Sequence, residues 1–96
     1  MTAYVVIRIQ VHDPDKLKDY QQIAPAIIEQ YQGRFLARGG EVTSLEGPEE
    51  NRRIVMIEFP TLDQAKRFYH SEEYAKAIEL RTEAADFEMI AVEGLA

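Results

Sequence analysis

The sequence contains no cysteine, which excludes a disulfide framework, a thiolate metal site and a cysteine nucleophile. It also has few basic residues, because 17 acidic side chains outnumber 11 basic ones and leave a net charge of −6. A nucleic acid or an anionic membrane surface is therefore not an expected partner, since both need a basic face. No apolar run approaches the roughly 18 residues of a membrane span. No export signal follows Met1, so we expect a cytoplasmic protein.

The length of 96 residues predicts a single domain that spans residues 1–96. A chain of this size buries about 65% of its surface on folding, which is enough for one hydrophobic core. Alternating apolar residues predict strands at 3–11, at 34–38 with a continuation at 41–46, at 52–59 and at 87–93. Gly39-Gly40 interrupts the second strand and indicates a bulge or bend. A turn of hairpin length is predicted at 47–51.

Two helical regions are predicted between these strands. Asp13 and Pro14 suit the N-cap and the first position of the first helix, and Gly33 suits a left-handed cap at its end. Pro25 lies inside this helix and predicts a kink, or two abutting helices, near Ala24.

The second helical region begins after Thr61, which has capping-box spacing to Gln64. Ser71 suits a fresh N-cap within this region. The resulting order of elements is β-α-β-β-α-β. It predicts an α+β fold of the ferredoxin-like type, with a four-stranded antiparallel sheet and two helices on one face.

The two faces of the predicted sheet differ in character. Every second residue of the first strand from Val5 to Val11 is apolar, which indicates the face that lies under the helices. The other face carries Tyr4, Val6, Arg8, Ile54, Met56 and Glu58. A largely apolar sheet face rarely faces water in a monomer. We therefore predict a homodimer that forms through the sheet faces. The alternative is a monomer with a half-apolar sheet face.

Arg8 and Glu58 both point to the predicted interface between the two sheets. One interpretation is an ion pair that is buried in the dimer and fixes its register. The other is a polar handle inside a ligand cavity between the sheets.

Three segments carry a family resemblance: QGRFLARGGEVTSLEG at 32–47, VMIEFPTLDQAKRFYHSEEYAKAIELR at 55–81 and VEG at 92–94. Its most specific pieces are Arg38-Gly39-Gly40, Glu58-Phe59-Pro60, and Ser71-x-x-Tyr74 followed by Arg81. With these segments the chain resembles the bacterial domain-of-unknown-function family 1330, in the dimeric α+β barrel superfamily. The resemblance implies a ferredoxin-like protomer and a barrel-forming dimer, but no settled reaction.

The wider superfamily includes cofactor-free monooxygenases, haem-degrading enzymes and lactone isomerases, whose ligands lie between the helices and the concave sheet. The chain has no tryptophan, which the monooxygenases and haem-degrading enzymes often use to shape the pocket. This departure weakens the transfer of either chemistry to the chain.

Candidate binding residues come from the segments that carry the resemblance. Arg38 either clamps a substrate carboxylate through a bidentate fork or pairs with a nearby acid such as Glu41. Gly39 and Gly40 either let a ligand approach the backbone closely or simply bend the strand. Arg81 is the second candidate anchor for an anionic group.

Glu58 and Tyr74 are the candidate catalytic residues, since either would move a proton. Tyr74 alternatively packs with its hydroxyl at the rim of the core. Ser71 is a binding candidate, although an N-cap is the simpler interpretation and a serine nucleophile would lack a base. His12 and His70 lack the spacing of metal ligands, so no metal site is predicted. A role for His70 as an axial haem ligand would rest on the superfamily alone.

Two functions follow from these residues. The first is an enzyme without a cofactor that acts on a small anionic organic molecule, in a cleft lined by Arg38, Glu58, Tyr74 and Arg81. The second is a non-catalytic dimeric module that binds a small ligand or a protein partner. The enzyme needs a pocket of about 300 Å³ or more with a buried acid. A cleft filled by the core side chains of Phe35, Phe68 and Ile27 would exclude an enzyme.

Overall fold

Seven helices and strands make up the fold, and the computed structural model describes them over residues 1–95. In chain order they are β1 (Ala3–Val11), α1 (Pro14–Gln30), β2 (Arg34–Arg38), β3 (Arg53–Phe59), α2 (Leu62–Tyr69), α3 (Glu72–Arg81) and β4 (Ala85–Glu93). The strands form one antiparallel sheet in the order β2-β3-β1-β4. The four-stranded antiparallel sheet is as predicted, but there are three helices where two were expected.

The extra helix arises because the second helical region contains two N-caps. The Thr61 hydroxyl accepts the Gln64 backbone N–H at 3.0 Å and starts α2. The Ser71 hydroxyl accepts the Tyr74 backbone N–H at 3.1 Å and donates to the Phe68 carbonyl at 2.7 Å. A side chain that caps one helix and closes the previous one makes the chain change direction there, so α2 and α3 are separate helices.

Helix α1 runs without a break through Pro25, so the predicted division into two helices is wrong. A proline removes only one intrahelical hydrogen bond, and Ala24, Ile27 and Ile28 hold that part of the helix against the core. The helix ends in a Schellman motif in which Gln32, not Gly33, has positive φ (67°). In this motif the Gly33 N–H bonds the Ile28 carbonyl at 2.8 Å.

Gly33 is required for space rather than for its backbone conformation. A Cβ atom there would lie 2.6 Å from the Phe59 ring and 2.8 Å from the Ile28 side chain. Because Phe59 is fully buried, its ring cannot move aside without disturbing the core.

We therefore expect Gly33→Ala to lower the free energy of unfolding by about 1–3 kcal/mol, the usual cost of overpacking. Gly40→Ala is the matched control, because no atom lies within 4 Å of its Cβ position. Urea unfolding of the two variants measures the difference. Equal midpoints would show that the Gly33 site is not tightly packed.

Strand β2 is shorter than predicted and ends at Arg38. Residues 41–46 are not a strand, so the predicted continuation is wrong, and residues 39–52 form a long loop in place of a short hairpin turn. Gly39 has a φ of +75°, which turns the chain out of the extended conformation. The bulge lies earlier than predicted, between Phe35 and Ala37.

The helices cover one face of the sheet, and we call the opposite one the outer face. On the helix side, Phe68 of α2 packs on Phe59 of β3 and Tyr20 of α1 packs on Phe87 of β4, at centroid distances of 5.2 and 5.4 Å. The outer face includes Tyr4, Val6, Ile54 and Met56, and β4 adds Ile90 and Val92, which are 56% and 53% exposed.

Arg8 and Glu58 both lie on the outer face, and within residues 1–95 they do not pair with each other. An ion pair between them across the dimer stays a prediction. Arg8 is opposite Ile54 and Glu58 is opposite Tyr4, so the register places the two residues four positions apart along the strands. Instead, Arg8 Nε lies 3.3 Å from Glu50 and Glu58 accepts a hydrogen bond of 3.0 Å from Arg34.

Charged residues lie at one end of the outer face. Arg52 donates to Glu50 at 2.7 Å and also to Glu88. The hydrogen bonds from Arg52 to Glu50 lower the pKa of Glu50 to about 2, and the charge of Arg8 makes a smaller contribution. No helix within residues 1–95 combines the length and apolar character that crossing a membrane requires.

Candidate functional site

A cavity of about 510 Å³ lies between α1 and the helix-covered face of the sheet. Most of its wall is apolar. Its lining residues are Ile7, Ile9, Leu17, Tyr20, Gln21, Ala24, Pro25, Ile28, Phe35, Arg38, Arg53, Val55, Ile57 and Phe87. The volume is within the range of small-molecule sites. Of the three core residues that would have filled a closed cleft, only Phe35 borders the cavity.

Two arginines, Arg38 and Arg53, mark the mouth of the cavity. Arg38 is the last residue of β2 and Arg53 the first of β3, and the register places them on the same face as Val55 and Ile9. Both arginines are exposed to solvent while lining the cavity. Among residues 1–95 neither forms a salt bridge, and the Arg38 guanidinium lies 4.4 Å from the centre of the Phe35 ring. Two cations at the mouth of an apolar cavity favour a ligand with an anionic group at one end.

Gly39 makes room for one of these arginines. Besides its positive φ, a Cβ atom at Gly39 would lie 2.8 Å from a nitrogen of the Arg53 guanidinium. Gly40, by contrast, faces open space and does not line the cavity. The structure thus brings Arg38 and Gly39 to the site and leaves Gly40 outside it.

A buried cluster of Tyr20, Tyr74 and Arg81 adjoins the inner wall, and we call it the tyrosine–arginine cluster. The two hydroxyl oxygens lie 2.6 Å apart, so one donates to the other. The Arg81 guanidinium stacks 3.7 Å from the centre of the Phe87 ring and lies 5.4 and 5.8 Å from the centres of the Tyr20 and Tyr74 rings. Tyr20 and Phe87 belong to the cavity wall, whereas Tyr74 and Arg81 lie behind it.

Both phenols of the cluster stay protonated at neutral pH. Burial is the largest cause that raises the pKa of Tyr20, and repulsion between the two oxygens if both phenols lost their protons raises it further. Burial also raises the pKa of Tyr74. The nearby Arg81 cation opposes these shifts without reversing them. The two hydroxyls are therefore hydrogen-bond donors or weak acids, not bases.

Two predicted site residues lie away from the cavity. Glu58 is on the outer face, because strand alternation places it between the buried Ile57 and Phe59, so its inclusion in a cleft with the other candidates is wrong. Ser71 uses its hydroxyl as both donor and acceptor in capping α3. Neither residue lines the cavity.

Two residues of the site were missing from the predicted set. Arg53 has the same strand parity as Val55 and Ile57, so strand alternation alone places its side chain on the helix-covered face of β3. Tyr20 is one of the buried residues of α1, and its sequence position alone does not reveal the partnership with Tyr74 across 54 residues.

No cluster of three or more His, Asp or Glu side chains within residues 1–95 is arranged to hold a metal ion. His12 instead lies 2.8 Å from Asp86 on the surface, and His70 is the C-cap of α2.

The sequence matches the protein family described as Domain of unknown function (DUF1330) over residues 2–95. The chain belongs to this family. The family resemblance noted in the sequence is thereby confirmed. No curated protein matches the sequence.

Solved structures with the same fold have little sequence in common with this family member. A protein of unknown function from Rhodopseudomonas palustris has 18% identity and a TM-score of 0.75, covering 99% of this chain and 83% of its own. SnoaB, a cofactor-independent oxygenase from Streptomyces nogalater, has 14% identity and a TM-score of 0.70, covering 99% and 94%. A dimeric ferredoxin-like protein of unknown function from Jannaschia sp. CCS1 has 9% identity and a TM-score of 0.70, covering 98% and 100%.

Proposed function

We propose that this protein is a homodimeric enzyme that acts, without a cofactor, on a small organic anion held in the cavity under α1. The observation that carries the proposal is the pairing of a largely apolar cavity of about 510 Å³ with two arginines that have no salt-bridge partner within residues 1–95. A flat apolar body would fill the interior, while its anionic group would lie between Arg38 and Arg53.

Arg38 and Arg53 both lack an acidic partner within residues 1–95. A guanidinium forms its strongest hydrogen bonds with carboxylate or phosphate oxygens, often in pairs. The chain carries 17 acidic residues, yet none within residues 1–95 pairs with Arg38 or Arg53. An anionic ligand would supply the missing partner.

The proposed chemistry depends on Tyr20, whose hydroxyl belongs to the tyrosine–arginine cluster. A neutral phenol is suited to donate a hydrogen bond or a proton to an oxygen of the ligand. Support for chemistry without a cofactor comes from SnoaB, which shares the fold and is described as a cofactor-independent oxygenase.

A non-catalytic binding module is the second candidate, and one observation favours it. No carboxylate and no imidazole of residues 1–95 lines the cavity, so the buried acid expected of an enzyme is missing from this wall. The same cavity and the same arginines would then bind the ligand without converting it.

The dimer is proposed to form through the outer face. Val6, Met56, Ile90 and Val92 belong to a patch that would leave apolar surface in water in a monomer. A ferredoxin-like relative of known structure is described as dimeric, which supports pairing of two chains. A two-fold axis through this face would bury the patch against its own copy.

The test of ligand binding compares an acid with its neutral analogue. We expect 2-naphthoate to bind about tenfold more tightly than 2-naphthamide, because a hydrogen bond to a charged group contributes about 1.5–3 kcal/mol. Isothermal titration of the unaltered protein and of the Arg38→Ala and Arg53→Ala variants measures this preference, which should shrink in both variants.

Arg67→Ala is the control, because this exposed arginine pairs with Asp63 on α2, away from the cavity. The control should keep the preference for the acid. Equal binding of the acid and the amide by the unaltered protein would overturn the proposal, as would an unchanged preference in both mouth variants.

A further inference from the structure

The tyrosine–arginine cluster contains more hydrogen-bond donors than acceptors. The bond between the Tyr20 and Tyr74 hydroxyls uses one hydrogen, which leaves the other free to donate. Arg81 adds the five N–H donors of a guanidinium and no acceptor. Arg81 is only 8% exposed, and its Nε atom is buried without any hydrogen-bond partner.

The charge of Arg81 is also uncompensated. Among residues 1–95 no carboxylate forms a salt bridge with it. Its aromatic neighbours, with the Phe87 ring at 3.7 Å, offset part of the cost through cation–π contact. A buried cation that has only aromatic rings and neutral phenol oxygens beside it still favours a nearby negative charge. The cluster therefore lacks one component, an oxygen that accepts hydrogen bonds and carries negative charge.

A row of residues across the sheet connects the tyrosine–arginine cluster with the arginines at the mouth of the cavity. Arg53 on β3 is opposite Ile9 on β1, and Ile9 is opposite Phe87 on β4. These three residues form one row across the sheet, and two strand spacings separate its ends by about 10 Å. A ligand that places its carboxylate at Arg53 and extends along this row would bring its other end to Phe87 and Tyr20, beside Arg81.

We propose that the tyrosine–arginine cluster is a second subsite that accepts a phenolate or enolate oxygen of the same ligand. The ligand class is then a carboxylic acid whose flat apolar body carries an acidic phenol or enol about 10 Å from the carboxylate. A cluster hydroxyl donates to this oxygen, and Arg81 is a positioning residue that supplies the favourable charge behind the hydroxyls. The inference rests on the proposed function only for the first anchor, at Arg38 and Arg53.

The test uses 6-hydroxy-2-naphthoate, which carries a carboxylate at one end and a phenol at the other. The phenolate absorbs at longer wavelength than the phenol, so a pH titration of the bound probe gives its pKa. We expect the pKa of the bound phenol to be lower in the unaltered protein than in Arg81→Met by about one unit, a tenfold preference for the anion. Tyr20→Phe should reduce the same preference.

Tyr31→Phe is the matched control, because the Tyr31 hydroxyl donates to Glu73 and does not line the cavity. It should leave the bound pKa unchanged. If Arg81→Met fails to fold, Tyr20→Phe and Tyr74→Phe provide the comparison, since each removes only a hydroxyl.

The outcomes separate the two proposals. A bound-probe pKa that is the same in the unaltered, Arg81→Met and Tyr20→Phe proteins would overturn the second subsite. Under that outcome, 2-naphthoate would still bind through Arg38 and Arg53, and the proposed function would stand. If neither 2-naphthoate nor its hydroxy derivative binds the unaltered protein, both proposals fail.

Discussion

Replacing Val6 with glutamate should produce a folded monomer. Val6 lies on β1 among the apolar residues of the outer face, opposite Met56 on one side and Ile90 on the other. In a two-fold dimer the two substituted positions would place unpaired carboxylates in an apolar interface, which costs about 3–5 kcal/mol for an uncompensated buried charge. In the isolated chain the same side chain would reach water, so the fold should persist.

Analytical ultracentrifugation at micromolar concentration measures this effect. The unaltered protein should have about twice the 11.0 kDa chain mass, and the Val6→Glu protein should have the chain mass with an unchanged circular dichroism spectrum. Gln22→Glu is the control, because it adds the same charge at an exposed position of α1. An unaltered protein that is already monomeric, or a Val6→Glu protein that stays dimeric, would contradict assembly through this face.

Truncating Tyr74 to alanine should lower the free energy of unfolding more than Gly33→Ala, Tyr74→Phe or Tyr69→Ala does. Tyr74 is completely buried, and its ring lies 4.4 Å from the centre of Phe68 and 6.2 Å from that of Tyr20. Removal of a buried aromatic side chain lowers the free energy of unfolding by about 3–5 kcal/mol. We expect this loss for Tyr74→Ala in urea unfolding.

Tyr74→Phe separates the contribution of the hydroxyl from that of the ring. It should cost only about 0.5–1.5 kcal/mol, because it removes one hydrogen bond and keeps the aromatic contacts. Tyr69→Ala, which truncates a tyrosine that is 40% exposed, should also cost less than Tyr74→Ala. Equal losses for Tyr74→Ala and Tyr74→Phe would show that the hydroxyl, and not the ring, accounts for the stability.

Strand alternation predicted more of the structure than any motif did. It assigned Val5, Ile7 and Ile9 to the core and Val6 to the outer face, as the structure shows. On β3 the same rule assigned Glu58 to the outer face, and it also gives Arg53 the helix-covered face shared by Val55 and Ile57. It did not resolve β4, because Phe87–Glu93 has apolar residues at both parities and lies at an edge of the sheet.

Features that depend on three-dimensional shape could not be predicted from the sequence. The cavity is lined by residues of α1 on one side and by sheet residues such as Ile9 and Val55 on the other, and no pattern along the chain encodes the space between them. The sequence does not distinguish the roles of Gly33 and Gly39. Gly33 is needed because a Cβ atom there would collide with Phe59. Gly39 is needed because a Cβ atom there would collide with Arg53 and because its φ is positive. The contact between Tyr20 and Tyr74 joins α1 to α3 and likewise depends on how the helices pack.

The location of a bound acid tests the anion site most directly. We would determine a crystal structure of the protein with 6-bromo-2-naphthoate and use the anomalous signal of bromine to find the ligand. The prediction is one dominant bromine peak inside the cavity under α1, with the carboxylate about 3 Å from the guanidinium of Arg38 or Arg53. A dominant peak on the outer face, with the cavity empty, would contradict it.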